Sequence, residues 1–512
     1  MTLGDLLGAL ERPDLARRVV GDAPARGIGI RGVTYDSRTV KDGELFVALK
    51  GLRADGVAFA EQAVGRGAVA IVAERAPSGA SAVPWIVVSD ARLALAALAD
   101  AFYGHPSAAI RVVGITGTNG KTTTAYLVRA LFEAAGIRCG LLGTIVYRVG
   151  DQEFDAARTT PEAPDVQRFL REMVEQGCGA CAMEVSSHAL ALKRVDETRF
   201  AAAVFTNLTT EHLDYHGDMD GYFAAKRRLF EMLPAGAPGV VNLDDPRAEA
   251  LCRIVTRRVT YAINRPADVT PGPLSSSWEG LEFDIRTPRG ALHARSALVG
   301  RSNVSNILAA AATAAALDLP LTAIERGLTQ LKGVPGRFQV VSGRADDITV
   351  IVDFAHTDDA LRNLLETART LAPARVITVF GCGGDRDRIK RPLMGAVAAR
   401  YSDLVVVTSD NPRSEDPARI IEDIKRGMTP AAARPAEGQR DRARPTTPYL
   451  VIVDRAEAVR QAIESAQAGD LVLLAGKGHE KHQIIGDRKL PFDDAEVARE
   501  ALARRKTRSS IH

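Results

Sequence analysis

The stretch Val112-Val-Gly-Ile-Thr-Gly-Thr-Asn-Gly-Lys-Thr-Thr-Thr124 decides the fold of this chain. An apolar run breaks into a glycine-rich turn that ends in Lys-Thr, the pattern of a strand, a phosphate-binding loop and a helix. The glycines let backbone N–H groups turn toward an anion, and the lysine supplies a positive charge for the β- and γ-phosphates. The threonine hydroxyl that follows suits Mg²⁺, and the helix N-terminus favours negative charge. The sequence therefore predicts a nucleotide-phosphate site formed by Gly117, Thr118, Asn119, Gly120, Lys121, Thr122 and Thr123.

Length and composition narrow the class of protein. A chain of 512 residues should form about three domains. Hydrophobic residues make up 46% and charged residues 25%, as is usual for globular proteins with filled cores. A net charge of +3 is too small to predict a nucleic-acid partner. The five cysteines fit no disulfide framework, and neither a signal segment nor a long apolar run is present. We expect a cytoplasmic protein that neither spans a membrane nor binds nucleic acid.

The order of strand and helix signals predicts an α/β protein of three domains. Short strands and a helix that stops before Gly104-His-Pro106 predict an N-terminal domain over residues 1–106. Alternating apolar strands and helices predict a central parallel sheet over residues 107–336. The same rhythm predicts a Rossmann-like C-terminal domain over residues 337–512. Within it, the Pro-, Ala- and Arg-rich segment 430–448 predicts a mobile insertion.

Three polar side chains follow or accompany the predicted central strands. Glu184 ends the strand Cys181–Val185, where it could take a metal ion or polarise water, although a surface glutamate is the simpler alternative. His212 follows another strand and could complete a Mg²⁺ site, although a lone histidine is more often structural. Lys226 would by itself be interpreted as a lysine on a helix surface.

The C-terminal part carries three loops that each follow a strand: Phe380–Asp387, Asp410–Arg413 and Gly476–Glu480. Arg386 and Arg413 offer guanidinium forks for a carboxylate, and carboxylates in the same loops can accept from an ammonium group. Separated positive and negative groups of this kind fit a zwitterion such as an amino acid.

Several of these motifs together resemble the Mur ligase family, over nearly the whole chain, and most closely its diaminopimelate-adding branch. They are Tyr35–Arg38, the variant phosphate loop, Thr159–Pro161, Met183–His188, His212–His216, Gly300–Asn306, Pro335–Phe338, Asp353–His356 and the three C-terminal loops. The resemblance implies an ATP-dependent ligase of peptidoglycan precursor synthesis. It would join meso-2,6-diaminopimelate to the D-glutamate γ-carboxylate of UDP-MurNAc-L-Ala-D-Glu through an acyl phosphate. It also implies a monomer that needs Mg²⁺ and has only small-molecule partners.

The resemblance further implies a role for individual residues. The catalytic set would be Lys121, Glu184, His212 and Lys226, with Lys226 carried as a carbamate. Mg²⁺ would be held by Thr122, Glu184, His212 and the carbamylated Lys226. The nucleotide-dipeptide would contact Ser37 in a UDP-binding N-terminal domain and Thr159, Thr160, Ser186 and Arg194 beyond it. ATP would also meet Asn303, Arg337, Asp353 and His356. Diaminopimelate would meet Arg386, Asp410, Asn411, Pro412, Arg413, Gly476 and Glu480.

Four alternatives remain at this stage. A lysine-adding ligase is disfavoured by Arg413, since a buried cation has no partner on lysine's ammonium end. A folylpolyglutamate-type ligase is disfavoured by Tyr35–Arg38. A nucleotide-binding scaffold has no need for Lys226, and a phosphoryl-transferring kinase has no need for an amino-acid-binding third domain.

Overall fold

The computed structural model describes residues 1–15, 17–20, 26–51, 54–76, 79, 81–428 and 447–509. Most of the predicted insertion, residues 430–446, therefore lies outside the described residues. The chain forms two compact units. The first comprises Met1–Thr270, Arg286–Leu292 and Asn306–Gly327, and the second comprises Pro271–Ile285, His293–Ser305 and Leu328–His512. The boundaries of the three predicted domains stay predictions.

A five-stranded sheet with the order β1-β5-β4-β3-β2 begins the first unit. Its strands are β1 (Arg17–Val20), β2 (Gly32–Thr34), β3 (Glu44–Val47), β4 (Ala70–Ala73) and β5 (Trp85–Val88), and its helices are α1 (Leu3–Gly8), α2 (Ala60–Gly65) and α3 (Ala91–Phe102). Asp90 caps α3 by accepting the N–H groups of Arg92 and Leu93. All pairs are parallel except β1 with β5. The helical side chains pack on short apolar strands, which forms the core of this region.

The second sheet of this unit has eight strands in the order β13-β12-β11-β6-β10-β7-β8-β9. They are β6 (Arg111–Thr116), β7 (Cys139–Leu142), β8 (Val146–Val149), β9 (Gln152–Asp155), β10 (Ala180–Glu184), β11 (Phe200–Phe205), β12 (Pro238–Asn242) and β13 (Arg257–Tyr261). The six strands from β13 to β7 are parallel, as the sequence predicts. The chain adds β8 and β9 as antiparallel strands, because the short connections that precede them leave no room for a helical crossover.

Helices cover both faces of this sheet, so its inner strands are continuous apolar runs. The helices are α4 (Lys121–Ala134), α5 (Ala163–Glu175), α6 (Ser187–Ala191), α7 (Leu213–His216), α8 (Met219–Glu231) and α9 (Ala248–Cys252). Parallel pairing brings the carboxyl ends of β6, β10 and β11 to one edge. That edge is where an open α/β sheet places its ligands.

A small antiparallel sheet follows, which the sequence analysis did not predict. Its strands are β14 (Thr270–Pro271), β15 (Ser275–Ser277), β16 (Gly280–Thr287) and β17 (Gly290–Ser296), and the helices α10 (Arg301–Ala316) and α11 (Leu321–Gln330) come next. Buried and exposed residues alternate along β16 and β17, as expected for strands with one solvated face.

The main sheet of the second unit has six strands in the order β18-β19-β23-β20-β21-β22. They are β18 (Gln339–Val340), β19 (Thr349–Asp353), β20 (Val376–Phe380), β21 (Leu404–Val407), β22 (Tyr449–Val451) and β23 (Leu471–Ala475). The hairpin β24 (His482–Ile485) and β25 (Arg488–Pro491) and the helices α12 (Asp358–Thr370), α13 (Lys390–Tyr401), α14 (Pro417–Lys425), α15 (Arg455–Ser465) and α16 (Asp494–Ser509) complete it. All pairs in the six-stranded sheet are parallel except β18 with β19. Within the described part of the chain, no helix combines the length and apolarity needed to cross a bilayer.

Candidate active site

The predicted phosphate loop joins β6 to α4 and is held rigidly by the loop after β11. Thr118 donates its N–H to the Asn207 carbonyl at 2.8 Å, and Asn119 donates its N–H to the Asn207 side-chain oxygen at 2.9 Å. Gly117 has φ +149°, and a Cβ there would lie 1.9 Å from Thr206 Oγ1. Only glycine fits at this point, because the two loops are in contact.

Lys121 opens α4, and its ammonium group folds back over the loop. Its Nζ donates to the carbonyls of Gly117 at 2.9 Å and Thr118 at 2.8 Å. Gly120, with φ +86°, precedes the helix. The N–H groups of the first turn have no partner within a helix, so the positive end of α4 and a lysine charge meet at one place. The loop can therefore hold a phosphate chain.

Glu184 ends β10 and is only 1% exposed. Its carboxylate accepts from the Thr122 hydroxyl at 2.9 Å, from the Thr144 N–H at 2.8 Å and from the Thr144 hydroxyl at 3.0 Å. The simpler alternative of a surface glutamate is thus wrong. Sequence reasoning missed Thr144, although the Gly-Thr pair directly after the apolar run of β7 was a signal for a loop at the same edge of the sheet.

Lys226 is buried on α8, at 2% exposure, and does not lie on the helix surface. Its Nζ donates to the Gly117 carbonyl at 2.7 Å and lies 4.4 Å from the centre of the Tyr222 ring. Burial lowers the pKa of Lys226 well below 10.5, and the charge of Lys121 lowers it further. A buried lysine with a depressed pKa can present a neutral, nucleophilic amine.

His212 precedes α7 in the left-handed region, with φ 56°. Its ring stands edge-on to the ring of His188, with the centres 4.8 Å apart. Partial burial lowers the pKa of His212, the charge of Glu211 opposes this effect, and the charge of Lys121 acts in the same direction as burial. A lowered pKa favours the neutral imidazole, whose lone pair can bind a metal ion.

Four residues expected to contact the dipeptide lie around the end of β10. Thr160 donates its hydroxyl to the Glu184 carbonyl at 2.8 Å and accepts the N–H of Ser186 at 3.1 Å. Arg194 donates to the Thr160 carbonyl at 3.2 Å, and Thr159 Oγ1 lies 3.2 Å from Thr144 Oγ1. These contacts place a hydroxyl-rich pocket beside the phosphate loop.

The same pocket contains a buried carboxylate that the sequence analysis did not assign. Glu162 pairs with Arg194 at 2.9 Å and with Arg158 at 2.7 Å.

Ser37 belongs to a different group of contacts: it is buried near the first sheet and donates its hydroxyl to the Gln62 side-chain oxygen at 2.9 Å.

The oxygen groups around the phosphate loop fit Mg²⁺. No group of three or more His, Cys, Asp or Glu side chains that could hold a metal ion is found within the described ranges. Mg²⁺ is usually bound by one or two carboxylates together with substrate phosphates and waters, so a closed protein cage is not required. Glu184 and the Thr122 hydroxyl, 2.9 Å apart beside the loop, form such an open set.

In the second unit, Arg337, Asp353 and His356 come together at the end of β19. Asp353 accepts the N–H of Phe338 at 2.6 Å and that of Ala355 at 2.8 Å. Arg337 lies over the Phe354 ring at 4.6 Å, and His356 Nδ1 lies 3.0 Å from the Phe354 carbonyl oxygen. Burial raises the pKa of Asp353, although the Arg337 charge opposes this effect.

Asn303 is a separate case among the residues expected to contact ATP. It is buried in α10 and donates its amide to the Val299 carbonyl at 2.8 Å.

The three C-terminal loops form one pocket at the ends of β20, β21 and β23. Arg413, with φ 52°, donates to the Gly384 carbonyl at 2.8 Å. Burial lowers the pKa of Arg413, and the nearby charge of Arg386 lowers it further. Neither arginine has an ion pair with a carboxylate of the residues described here. Two cations at one place, without such a partner, suit an anionic ligand.

Other side chains of the same loops carry negative charge. Glu480 accepts from the Asn411 amide at 2.8 Å and from Lys477 at 2.9 Å. Asp410 is buried beside Gly476, and this burial raises the pKa of Asp410. Its carboxylate lies 3.8 Å from the Lys477 ammonium nitrogen. Pro412 is also buried. Lys477 is 0% exposed and was not predicted from the sequence, although it lies inside the Gly476–Glu480 motif.

Sequence models of three domains match this chain. The model described as "Mur ligase family, catalytic domain" matches residues 29–103, the Mur ligase middle domain matches residues 115–314, and "Mur ligase, glutamate ligase domain" matches residues 336–478. The chain belongs to the Mur ligase family.

Relatives of this Mur ligase match it over nearly its whole length. It is 45% identical over 505 residues to the UDP-N-acetylmuramoyl-L-alanyl-D-glutamate–2,6-diaminopimelate ligase of Solibacter usitatus, with 98% of each chain covered. The ligase of the same name from Geobacter sulfurreducens is 47% identical, with 95% of this chain and 97% of the relative covered. A solved structure of a ligase of that name is 33% identical with a TM-score of 0.68, covering 99% of this chain and 100% of the other.

Proposed function

We propose that this Mur ligase is a MurE enzyme, which joins meso-2,6-diaminopimelate to UDP-MurNAc-L-Ala-D-Glu at the expense of ATP. The observation that carries the proposal is the half-buried guanidinium group of Arg413, which lies close enough to Arg386 for its pKa to be lowered and has no ion pair with a carboxylate among the described residues. The names and the full-length similarity of the relatives support the same substrate.

The charge pattern of the C-terminal pocket explains the choice of amino acid. Diaminopimelate has a carboxylate at the far end of its side chain, and Arg413 would bind it through two N–H donors. Asp410 and Glu480 would accept from an ammonium group, while Asn411, Pro412 and Gly476 shape the pocket. Lysine lacks the second carboxylate, so it would leave the charge of Arg413 without compensation in a half-buried site.

Phosphorylation is needed because a carboxylate is a poor acylating agent near neutral pH. The γ-carboxylate of D-glutamate attacks the ATP γ-phosphorus, the bond to the β–γ bridging oxygen breaks, and an acyl phosphate and ADP result. The neutral amine of diaminopimelate then attacks the acyl carbon, the amine loses a proton, and inorganic phosphate leaves. Lys121 and the N-terminus of α4 would stabilise charge on the transferring group. Residues 117 to 123 would hold the phosphate chain.

Mg²⁺ would be held by Thr122, Glu184, His212 and a carbamylated Lys226, and would offset negative charge on the phosphoryl group. The buried amine of Lys226 supports this role of the lysine. Its lowered pKa leaves the nitrogen lone pair available, so it can add to CO₂ with loss of one proton. The product is a carbamate anion, which converts a cation into an oxygen ligand.

The remaining expected residues are assigned within the same proposal. Ser37 would bind the uridine nucleotide, and Thr159, Thr160, Ser186 and Arg194 would bind the dipeptide. Asn303, Arg337, Asp353 and His356 would contact ATP. A monomeric state and a cytoplasmic location stay predictions.

A competition assay tests the proposal. The purified chain is incubated with ATP, Mg²⁺, the nucleotide-dipeptide and equal amounts of lysine and meso-diaminopimelate. The two possible products are then identified and quantified by mass spectrometry. We expect only the diaminopimelate product in the native chain. In Arg413→Ala, kcat/KM for diaminopimelate should fall about 10- to 100-fold, the cost of one hydrogen-bonded charge pair. Arg419→Ala, which removes an exposed arginine of α14, serves as the matched control. Equal use of both amino acids by the native chain would refute the proposal.

A further inference from the structure

Thr144 contributes more to the placement of Glu184 than any residue of the phosphate loop. Among the described residues, the Glu184 carboxylate accepts one hydrogen bond from Thr122 and two from Thr144. The Thr144 N–H binds Oε1 and its hydroxyl binds Oε2, so one residue contacts both oxygens. A carboxylate gripped at both oxygens cannot rotate, which fixes the direction in which its remaining lone pairs point.

The backbone around Thr144 allows these two hydrogen bonds to Glu184. Leu142 of β7 pairs with Met183 of β10, so the residues that follow each strand lie side by side. Gly143 comes directly against the carboxylate, and a Cβ at that position would lie 2.4 Å from Glu184 Oε1. Any larger residue at position 143 would push the carboxylate away from the loop.

The hydroxyl of Thr144 also lies 3.2 Å from Thr159 Oγ1. The Thr144 hydroxyl is the donor in this contact, as it is in its contact with the Glu184 carboxylate. A hydroxyl has one proton to donate. Thr159 and Glu184 are therefore alternative acceptors of the same Thr144 proton.

We propose that Thr144 is the positioning residue that sets the Glu184 carboxylate for Mg²⁺-nucleotide binding and connects it to Thr159 in the dipeptide pocket. The connection to the dipeptide rests on the proposed function, whereas the grip on Glu184 does not. A substrate group that donates a hydrogen bond to Thr159 Oγ1 occupies the competing acceptor, so that the Thr144 proton stays with the carboxylate at the phosphate loop.

Binding of ADP, measured by calorimetry with and without Mg²⁺, tests the grip without requiring any ligase activity. Thr144→Val keeps the shape and the N–H but removes the hydroxyl, and Thr144→Ser keeps the hydroxyl. We expect Thr144→Val to weaken Mg²⁺-ADP binding about 10- to 100-fold, as is usual when a group that orients a metal ligand is removed. Binding of ADP without Mg²⁺ should stay within about twofold, since the phosphate loop is unchanged.

Three further variants complete the design. Thr144→Ser should bind Mg²⁺-ADP within about threefold of the native chain, because its hydroxyl still reaches Glu184. Thr159→Val removes the competing acceptor, so Mg²⁺-ADP binding should be unchanged or up to about threefold tighter in the native background and should not change in Thr144→Val, which is the signature of a shared proton. The control is Thr313→Val, since the Thr313 hydroxyl is buried and binds the Ala309 carbonyl within α10 instead of a group of the site.

Native-like affinity of Thr144→Val for Mg²⁺-ADP would overturn the proposal, as would a Thr144→Ser variant that is as weak as Thr144→Val. Should Thr144→Val fail to fold, the decision passes to Thr144→Ala, which also lacks the hydroxyl, and to Thr144→Ser. A weakened Thr144→Ala with a native-like Thr144→Ser supports the proposal, and any other pair of results overturns it. A native chain that makes no diaminopimelate product would refute the proposed function alone, because ADP binding reports on the grip independently.

Discussion

Glu415 offers a sharp test of how the diaminopimelate pocket is held together. Its carboxylate, 13% exposed, accepts from the buried guanidinium of Arg391 at 2.8 Å and from the N–H of Asp385 at 2.6 Å. Asp385 in turn accepts from the Ser414 hydroxyl at 2.6 Å. Glu415 thus ties the loop that carries Arg386 to the loop that carries Arg413. We predict that Glu415→Gln both destabilises the second unit and loosens this pocket.

The magnitude follows from the pKa of the carboxyl group. The hydrogen bond from Arg391 lowers the pKa of Glu415 from 4.5 to about 2. That difference corresponds to at most about 3.4 kcal/mol, and solvent screening of the loop reduces it to about 1–2 kcal/mol. Because the folded pKa is the lower one, this stability is complete above pH about 4.5 and is lost as the pH falls toward about 2. The loss of stability in acid should therefore be smaller in the variant than in the native chain.

Urea denaturation at pH 7 and at pH 3.5, followed by fluorescence, measures the effect. Glu415→Gln should lower the denaturation midpoint at pH 7, and the difference from the native chain should shrink at pH 3.5. The KM for diaminopimelate should rise about 3- to 10-fold, with little change for ATP, as expected for a loosened binding loop. Glu422→Gln is the matched control, since Glu422 is 62% exposed and its ion pair is with Lys425 on the same helix. A variant that denatures like the native chain at both pH values would refute the reasoning.

Three further changes test other parts of the structure. Lys226→Gln should lower the ligation rate at least about 100-fold and abolish the carbamate signal in ¹³C NMR with labelled bicarbonate, and a native rate would contradict the metal-ligand role. Gly117→Ala should abolish ADP binding in calorimetry, because the new Cβ would lie 1.9 Å from Thr206 Oγ1; retained affinity would show that the loop can move. Asp494→Ala should cost about 3–5 kcal/mol in urea denaturation, because it leaves the guanidinium of Arg455, fully buried at 0% exposure, without its carboxylate.

The sequence predicts the elements that have a local signature. The phosphate loop, the strand that ends in Glu184 and the loops around Arg386 and Arg413 are found where apolar runs give way to glycine and charged residues. The six parallel strands of the central sheet follow from the same alternation. The antiparallel strands β8 and β9 were not predicted, because they are four residues each and β9 is largely exposed.

What the sequence does not reveal is which side chains meet across loops. Thr144 and Glu184 are separated by 40 residues, and nothing local marks the threonine as a partner of the glutamate. Lys226 looks like a surface residue in sequence, because its burial depends on the contact between α8 and the loop after β6. Lys477 is similar: its partners Asn411 and Glu480 come from two different loops.

The order of the strands accounts for most of these contacts. In the sheet, β10 lies between β6 and β7, with Ile115 of β6 paired with Glu184 and Leu142 of β7 paired with Met183. Three parallel strands therefore end at almost the same height, and the phosphate loop, the Glu184 carboxylate and the Gly143-Thr144 turn must lie side by side. Since side chains alternate between the two faces of a sheet, a slip of β10 by one residue would turn Glu184 to the opposite face and move Met183 out of its core cluster to the face on which the small side chains of Ala180 and Ala182 lie. The packing of Met183 thus fixes the register that holds the carboxylate beside the phosphate loop, so the buried core of the sheet and the geometry of the site are set by the same pairing.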